Sequence, residues 1–212
     1  MQVAIIGAGR VGGALALGLQ GKGYAVTLGV RDPGKAEMQA LALASGATLA
    51  SPSEASKAAE IVILALPWRT AETAVKALGN LSGKIVIDCM NPIGMVDGAL
   101  GLVVGYTSSG GETVAGWLPG ARVVKTLNQV GAEIMADPAM LGNRPVVFMA
   151  GDDAGAKTAT AELLGDLGFE ALDAGAITKS RLLEPFGMVW INQSIIRGLG
   201  RDWAFSVTRK GT

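Results

Sequence analysis

The sequence predicts an α/β fold, in which a doubly wound, mostly parallel sheet is followed by a short C-terminal helical extension. Apolar runs of strand length alternate with segments of helical periodicity from the first residue to beyond the middle of the chain. One run, Ile61–Leu66, is continuously apolar, as expected of a strand that helices cover on both faces. Half of the 212 residues are hydrophobic and 31 are glycine, a composition that suits helices packed closely on a sheet.

The first elements form a strand–helix–strand unit. The apolar run Val3–Ile6 predicts a strand, and apolar residues at helical spacing over Val11–Leu19 predict the helix after it. Ala25–Val30 is predicted as the second strand. Asp32 and Pro33 then predict the start of a second helix, with the aspartate as N-cap and the proline in the first position.

Capping signals place the helices of the middle of the chain. A short strand at Ala47–Ala50 is followed by Ser51-Pro52-Ser53-Glu54, which is a capping box with proline in the first turn. Thr70 is expected to cap a helix that ends near Gly79. The remaining strands are expected at Ile61–Leu66, Lys84–Asp88, Arg122–Thr126, Pro145–Met149 and Phe169–Leu172.

Two helices are predicted in the last third. Asp152 or Asp153 caps the first, and Ser180 to about Gly198 forms the second, which Pro185 either kinks or leaves intact. The segment Asn91–Ala121 shows no regular pattern, and such stretches are usually functional or mobile. We expect a single domain over residues 1–212, with a core over about 1–150 and a C-terminal strand and helix extension over 151–212.

Composition excludes several classes of function. The formal net charge is zero, which argues against nucleic acid as a partner, and no run of about 18 apolar residues predicts a membrane span. A single cysteine and the lack of an export signal favour a cytoplasmic location. Because the chain has no histidine, Ser-His-Asp and Cys-His sites and histidine-ligated zinc are excluded. We therefore predict no metal site and no catalytic side chain.

The strongest motif is Gly7-Ala8-Gly9-Arg10-Val11-Gly12, a GxGxxG pattern that follows a strand and opens a helix. The first glycine permits the tight turn, the second lets the backbone approach a pyrophosphate, and the third lets the helix pack closely on the strand. The helix N-terminus would then bind the diphosphate through its backbone N–H groups. This is the Rossmann fingerprint for dinucleotide binding, so the core over about 1–150 is expected to be a dinucleotide-binding core. The alternative is a purely structural glycine turn.

The end of the second strand favours NADP(H) over NAD(H). An acid about 20 residues after the motif holds the ribose hydroxyls in NAD enzymes, but this place is occupied by Arg31, with Lys35 one turn later. A guanidinium pairs with a 2′-phosphate, and the lysine adds a second positive charge. The alternatives are that both are ordinary solvated charges and that Asp32 binds ribose rather than capping a helix.

Further candidate residues lie where strands end, since such sheets bind ligands at their carboxyl edge. We expect Leu66-Pro67-Trp68 to run under the ribose and nicotinamide, although Trp68 could equally cap the core. Asn91-Pro92 is expected to border the nicotinamide ring, and Asn128 to face the substrate. Trp190 lines either an apolar substrate pocket or the core or a dimer interface. Arg181 and Glu184 are predicted to form a structural pair.

Several motifs together resemble the NADPH-dependent coenzyme F420 reductase family, and also the cytoplasmic oxidoreductase domain of the STEAP metalloreductases. These are the opening GxGxxG, Gly29-Val30-Arg31, Leu66-Pro67-Trp68, Asp173-Ala174-Gly175 and Ser180-Arg181-Leu182-Leu183-Glu184. The resemblance implies hydride transfer between NADP(H) and the deazaflavin ring of coenzyme F420, or a flavin, stacked face to face. It also implies that Arg31 and Lys35 contact the 2′-phosphate.

The sequence departs from that family at two places. Val30 stands where members with the established activity have a serine, and Thr126-Leu127-Asn128 stands where some have a histidine. Val30 removes one possible hydrogen bond to the phosphate, and the departure at Thr126-Leu127-Asn128 bears on the second substrate far more than on NADP(H). The alternatives are an NADP-binding redox sensor without catalysis, and an imine or 2-hydroxyacid reductase, for whose long helical dimerisation domain too few residues follow Ala150. The apolar C-terminal helix suggests a homodimer, and the expected partner is a small-molecule redox acceptor.

Overall fold

The computed structural model describes residues 1–210, which contain an eight-stranded sheet and a separate two-stranded hairpin. The order across the sheet is β3-β2-β1-β4-β5-β8-β9-β10. The strands are β1 (Gln2–Ile6), β2 (Ala25–Gly29), β3 (Thr48–Ala50), β4 (Ile61–Leu64), β5 (Ile85–Asp88), β8 (Arg122–Lys125), β9 (Val146–Gly151) and β10 (Glu170–Gly175), with β6 (Ile93–Val96) and β7 (Ala99–Leu102) in the hairpin.

The directions of the strands confirm the predicted doubly wound, mostly parallel sheet. Every neighbouring pair from β3 to β8 is parallel, β8 and β9 are antiparallel, and β9 and β10 are again parallel. The end of β1 lies between its neighbours, because Ile6 pairs with Gly29 of β2 and with Leu64 of β4. The strand order reverses at β1, which creates the crevice where such sheets bind ligands.

Helices cover both faces of the sheet, as the apolar strands require. They are α1 (Arg10–Gly18), α2 (Ala36–Ser45), α3 (Pro52–Ala58), α4 (Trp68–Lys76), α5 (Gly110–Trp117), α6 (Ala132–Ala136), α7 (Ala154–Leu167) and α8 (Ser180–Ile191). Alternate residues of β1 enter two cores: Val3 and Ile5 pack with α1, α6 and α7, whereas Ala4 and Ile6 pack with α3, α4 and α5. Full burial of each large aliphatic side chain contributes about 1.5–3 kcal/mol.

Two predicted caps are wrong and two are confirmed. Asp32 does not cap α2, which begins at Ala36, because the Asp32 carboxylate instead accepts the Gly34 N–H at 3.0 Å in a tight turn. Thr70 lies inside the first turn of α4 and donates to the Pro67 carbonyl. The Ser51–Glu54 capping box of α3 and the Asp153 cap of α7 are both present.

The segment 91–121 is more regular than its sequence suggests. Strands β6 and β7 form an antiparallel hairpin joined by Asp97 and Gly98, and α5 follows. Both turn residues have positive φ, 49° and 80°, as a two-residue hairpin turn requires. The dipeptide Asp-Gly between two apolar pairs is therefore the local signal that identifies this hairpin.

The C-terminal helix is shorter than predicted. Helix α8 ends at Ile191, and a single π-helical turn over Asn192–Ile196 follows it instead of a continuation to Gly198. The next segment crosses the start of β9, where the Val146 N–H donates to the Phe205 carbonyl at 2.8 Å. Over residues 1–210, none of the helices combines the length and the apolar character needed to cross a bilayer.

Candidate functional site

The glycine loop lies between β1 and α1, at the point where the strand order reverses. Gly7 has φ +96°, and its N–H donates to the Gly29 carbonyl at 3.1 Å. A Cβ at this position would lie 2.6 Å from the Ala65 carbonyl oxygen, so a side chain would displace the segment after β4. The turn therefore requires glycine for both conformation and space.

The other two glycines of the loop have different surroundings. A Cβ on Gly12 would overlap the Gly7 carbonyl oxygen, so this glycine is needed for close packing of α1. Beyond the two neighbouring residues of the chain, a Cβ on Gly9 would meet no atom within 4 Å, and the φ of Gly9 is an ordinary −76°. Packing within the protein therefore does not explain glycine at this position.

The N-terminus of α1 is open to an anion. Gly9 is its N-cap and makes no side-chain hydrogen bond, so the N–H groups of the first turn are not capped by a side chain. The positive end of the helix dipole adds to these donors. The loop Gly7–Gly12 therefore has the geometry and the chemistry that a dinucleotide diphosphate requires.

Arg10, the first residue of α1, is engaged within the protein. Its guanidinium forms an ion pair with Glu133 of α6, and Glu133 also accepts from Arg201 at 2.9 Å. Burial alone would raise the pKa of Glu133, but its own backbone N–H and the two arginines outweigh this and lower it. The ion pair connects α1, α6 and the segment that follows α8.

Arg31 and Lys35 lie just beyond the end of β2, and both are exposed. The ion pairs found within residues 1–210 involve neither of them. Val30, in contrast, is buried in the core below them. Both positive charges are thus available to a ligand at this edge, and their contact with a 2′-phosphate stays a prediction.

The segment Leu66-Pro67-Trp68 begins directly after β4. The Leu66 side chain lies beside Gly7, 3.1 Å from where a Cβ on that glycine would be, and Pro67 is the exposed N-cap of α4. The Trp68 ring stacks on Trp117 of α5, with ring centroids 5.4 Å apart and planes 27° apart. One face of Trp68 therefore packs on protein, which agrees with the core-capping alternative, and its contact with a cofactor stays a prediction.

Asn91 and Asn128, which follow β5 and β8, are brought together and bind each other. The Asn91 amide donates to the Asn128 carbonyl at 2.7 Å, and the Asn128 amide donates to the Asn91 side-chain oxygen at 2.9 Å. Asn128 also donates to the Leu183 carbonyl and accepts from Gln129. Pro92 is buried beside this pair. The two strand ends are thus fixed relative to each other by side-chain amides.

Helix α8 packs directly against this asparagine pair. A Cβ on Gly187 would lie 2.7 Å from the Asn128 carbonyl oxygen and 3.2 Å from the Asn91 side-chain oxygen. One turn further along α8, Trp190 is only 3% exposed; its indole N–H donates to the Trp203 carbonyl, and its ring stacks on Trp203. Trp190 is therefore a buried core residue, which agrees with one of the alternatives to a place in a substrate pocket. Its contact with substrate stays a prediction.

A buried ion triad, which the sequence does not reveal, lies below the asparagine pair. The Lys125 ammonium of β8 is 2.9 Å from the Asp88 carboxylate of β5 and 2.9 Å from the Glu184 carboxylate of α8. It also donates to the Met90 carbonyl. Each of the three side chains is at most 1% exposed. Burial alone would lower the pKa of Lys125, but the two carboxylates outweigh this and raise it.

Glu184 and Arg181 each bind α5, so the predicted Arg181–Glu184 pair is wrong. Glu184 accepts the N–H groups of Gly110 and Gly111, at 2.8 and 2.9 Å, at the N-terminus of α5. Arg181 instead forms a two-fold hydrogen-bonded pair with Glu112, and this pair lowers the pKa of Glu112. Partners from α5 satisfy both charges better than the neighbouring turn of α8 does.

Cys89 lies next to the triad and is buried. Burial and the nearby Asp88 carboxylate raise the pKa of its thiol. A thiol with a raised pKa is a poor nucleophile. Across residues 1–210, no three histidine, cysteine or carboxylate side chains are grouped so that they could hold a metal ion.

Residues 2–92 match the sequence family described as coenzyme F420-dependent NADP oxidoreductase. That span includes the glycine loop, Arg31, the segment after β4 and Asn91-Pro92. The whole chain is also similar to a protein from Arthrobacter sp. FB24 that is proposed to be an F420-dependent NADP reductase. The two are 34% identical, the match covers 99% of this chain and 100% of that one, and the TM-score is 0.90.

Two further proteins are similar to this chain, one in sequence and one in structure. Metalloreductase STEAP3 of Rattus norvegicus is 28% identical over 183 residues, which are 86% of this chain and 36% of the rat protein, so this chain spans little more than a third of that relative. An imine reductase from Streptomyces aurantiacus is 20% identical, with a TM-score of 0.65 over 93% of this chain and 64% of that one.

Proposed function

This chain belongs to the coenzyme F420-dependent NADP oxidoreductase family, and on that premise we propose that it transfers hydride between NADP(H) and a flat redox acceptor, with coenzyme F420 as the first candidate and a flavin as the second. Membership makes the chain an NADP-dependent oxidoreductase. The acceptor, and the residues that bind each partner, are the new parts of the proposal.

The observation that carries the proposal is the open space at Gly9 beside the uncapped N-terminus of α1. We assign the diphosphate to the N–H groups of this loop and the 2′-phosphate to Arg31 and Lys35. Both cations are exposed at the adjacent strand end, which is where the adenosine ribose lies in such folds. The nicotinamide end then points along the sheet edge towards the asparagine pair.

A flat acceptor is favoured because the site offers positioning rather than proton transfer. Bound NADPH supplies the hydride, and transfer to a deazaflavin or flavin ring needs the two rings held face to face. The titratable side chains below the asparagine pair, Asp88, Lys125 and Glu184, are buried and bound to one another. Reduction of an imine or a 2-oxo acid would also require a proton donor at the reacting atom.

The hairpin β6–β7 provides an apolar surface next to the expected nicotinamide position. It begins two residues after Asn91; Met95 within it and Val103 directly after it are 68% and 49% exposed. Exposed apolar side chains beside a ligand crevice are typical of surfaces that receive an aromatic ring or a second protein chain. We propose that this hairpin forms one wall of the acceptor site, which a second copy of the chain would complete in a homodimer.

The test is stopped-flow absorbance of NADPH oxidation by the purified protein, with F420, FMN, FAD and ferric chelates offered in parallel. Rapid oxidation by F420 and slow oxidation by the others would support the proposal as stated. Rapid oxidation by a flavin only would keep the flat acceptor and replace F420. Tight NADPH binding without oxidation by any of them would overturn the proposed reaction in favour of an NADP-binding redox sensor.

A further inference from the structure

The backbone of Met90 is held from two sides by buried charged groups. Its N–H donates to the Asp88 carboxylate at 2.9 Å, and its carbonyl accepts from the Lys125 ammonium. Met90 directly precedes Asn91, so these two contacts determine where the chain leaves β5. Hydrogen bonds to charged partners are stronger than those between neutral groups, and in a buried site they are not weakened by competing water.

Lys125 is held in turn by α8. Glu184 approaches the ammonium to 2.9 Å, and the same carboxylate accepts two N–H groups from the N-terminus of α5. Gly187, three residues later on the same helix, packs against Asn128 and Asn91. Helix α8 therefore supports the ends of β5 and β8 by a charge contact at one turn and by close packing at the next.

We propose that Lys125 and Glu184 are positioning residues, which together with Asp88 hold the Met90–Asn91 backbone and the adjacent Asn91–Asn128 pair where the nicotinamide end of NADP(H) binds. This inference rests on the proposed function for the location of the nicotinamide. The triad touches neither the cofactor nor the acceptor, since its side chains are fully buried. It acts on the site through the backbone of Met90, and Glu184 in addition accepts the first N–H groups of α5.

A purely structural role, docking α8 on α5, is the competing explanation. The chain contains a matched pair for separating the two, because Glu112 and Glu184 both bridge α5 and α8. Glu112 binds Arg181 of α8, and Glu184 binds the first N–H groups of α5. Only Glu184 contacts Lys125. Either substitution removes one contact between α5 and α8, whereas displacement of Met90 should follow only from the change at Glu184.

The experiment compares Glu184→Gln with Glu112→Gln by titrating each with NADPH and with 2′,5′-ADP, which carries the adenosine end without the nicotinamide. A glutamine at 184 loses the charge that faces Lys125, and its NH2 group cannot accept the N–H group of α5 that the replaced oxygen accepted. We expect Glu184→Gln to weaken NADPH severalfold and to leave 2′,5′-ADP unchanged. We also expect it to slow hydride transfer by on the order of tenfold or more, because a misplacement of about 1 Å can cost on the order of a hundredfold in rate. Glu112→Gln should change neither ligand.

The binding comparison does not require a turnover assay, so it stands even if no acceptor is found. Equal weakening of both ligands by Glu184→Gln, an unchanged NADPH affinity, or the same NADPH-specific loss in Glu112→Gln would each overturn the positioning role. Failure of wild-type protein to oxidise NADPH would overturn only the proposed reaction. If Glu184→Gln does not fold, Glu184→Asp replaces it in the comparison, because aspartate keeps the charge but is shorter by one methylene group. We expect Glu184→Asp to weaken NADPH less than is expected for Glu184→Gln and to leave 2′,5′-ADP unchanged.

Discussion

Around the ends of β1 and β2 the polar groups are open to a ligand, whereas around the ends of β5 and β8 they are bonded to one another. The glycine loop has an uncapped helix N-terminus, and Arg31 makes no ion pair within residues 1–210. At the other end of the same edge, Lys125 and Asn128 are buried and have protein partners for their polar atoms.

This difference corresponds to the two tasks of the proposed site. A phosphate group needs hydrogen-bond donors and cations that have no partner within the protein, because the contacts formed on binding stabilise its charge. The dihydronicotinamide ring of NADPH is neutral, so it gains little from free charges and instead needs a fixed surface to lie on. Buried charges are tolerated at that end only because they are paired, since an isolated buried ion costs several kcal/mol.

The largest effect expected from this comparison follows from Lys125→Met. The substitution leaves the Asp88 and Glu184 carboxylates buried without their cation. Breaking a buried pair by removal of one partner typically costs about 3–5 kcal/mol. We expect the free energy of unfolding to fall by about this amount, measured by urea denaturation followed by circular dichroism.

The matched control is Arg181→Met, which removes the partly exposed pair with Glu112 on the same two helices. Exposed pairs contribute about 0–1 kcal/mol, so this variant should remain close to wild type. A similar fall in the free energy of unfolding in Lys125→Met and Arg181→Met would show that burial does not make the Lys125 pair more stabilising than the Arg181 pair. The difference proposed between the two ends of the sheet edge would then be wrong.

Which parts of the molecule the sequence reveals depends on the distance along the chain between interacting residues. The glycine motif, the Ser51–Glu54 capping box and the strand alternation are local, and the structure contains all three. The hairpin also had a local signal in Asp97-Gly98, which the irregular composition around it obscured.

The triad has no such signal. Asp88 and Lys125 are 37 residues apart, and each resembles an ordinary charged residue at the end of a strand. Local spacing even pointed to the wrong partner, because Arg181 and Glu184 lie three residues apart on one helix but bind α5 instead. Only the packing of α8 across two strand ends brings these groups together, and tertiary packing of that kind is not encoded in any short pattern.

A second test concerns the open end. Arg31→Ala removes an exposed cation that has no ion-pair partner within residues 1–210, so the fold should be unaffected. If Arg31 binds the 2′-phosphate, its loss should weaken NADPH by about 1.5–3 kcal/mol and NADH far less. Fluorescence titration with both nucleotides measures this difference, and Arg197→Ala, another exposed arginine, is the control. Equal weakening of NADPH and NADH would show that the assignment is wrong.

The smallest expected effect comes from two glycines, one at each end. Gly187→Ala places a methyl group 2.7 Å from the Asn128 carbonyl oxygen, whereas Gly9→Ala places one where, beyond the two neighbouring residues of the chain, no atom lies within 4 Å. For Gly187→Ala we expect a net loss of stability of about 1–2 kcal/mol, because overpacking outweighs the gain in helix propensity.

Gly9→Ala should behave in the opposite way. Its backbone conformation, φ −76° and ψ −160°, is accessible to alanine, so urea denaturation should give an unchanged free energy of unfolding. NADPH should nevertheless bind more weakly, because the methyl group occupies the space that we assign to the diphosphate. A destabilised Gly9→Ala protein, or one that binds NADPH as tightly as wild type, would mean that the open space at this loop is not the phosphate site.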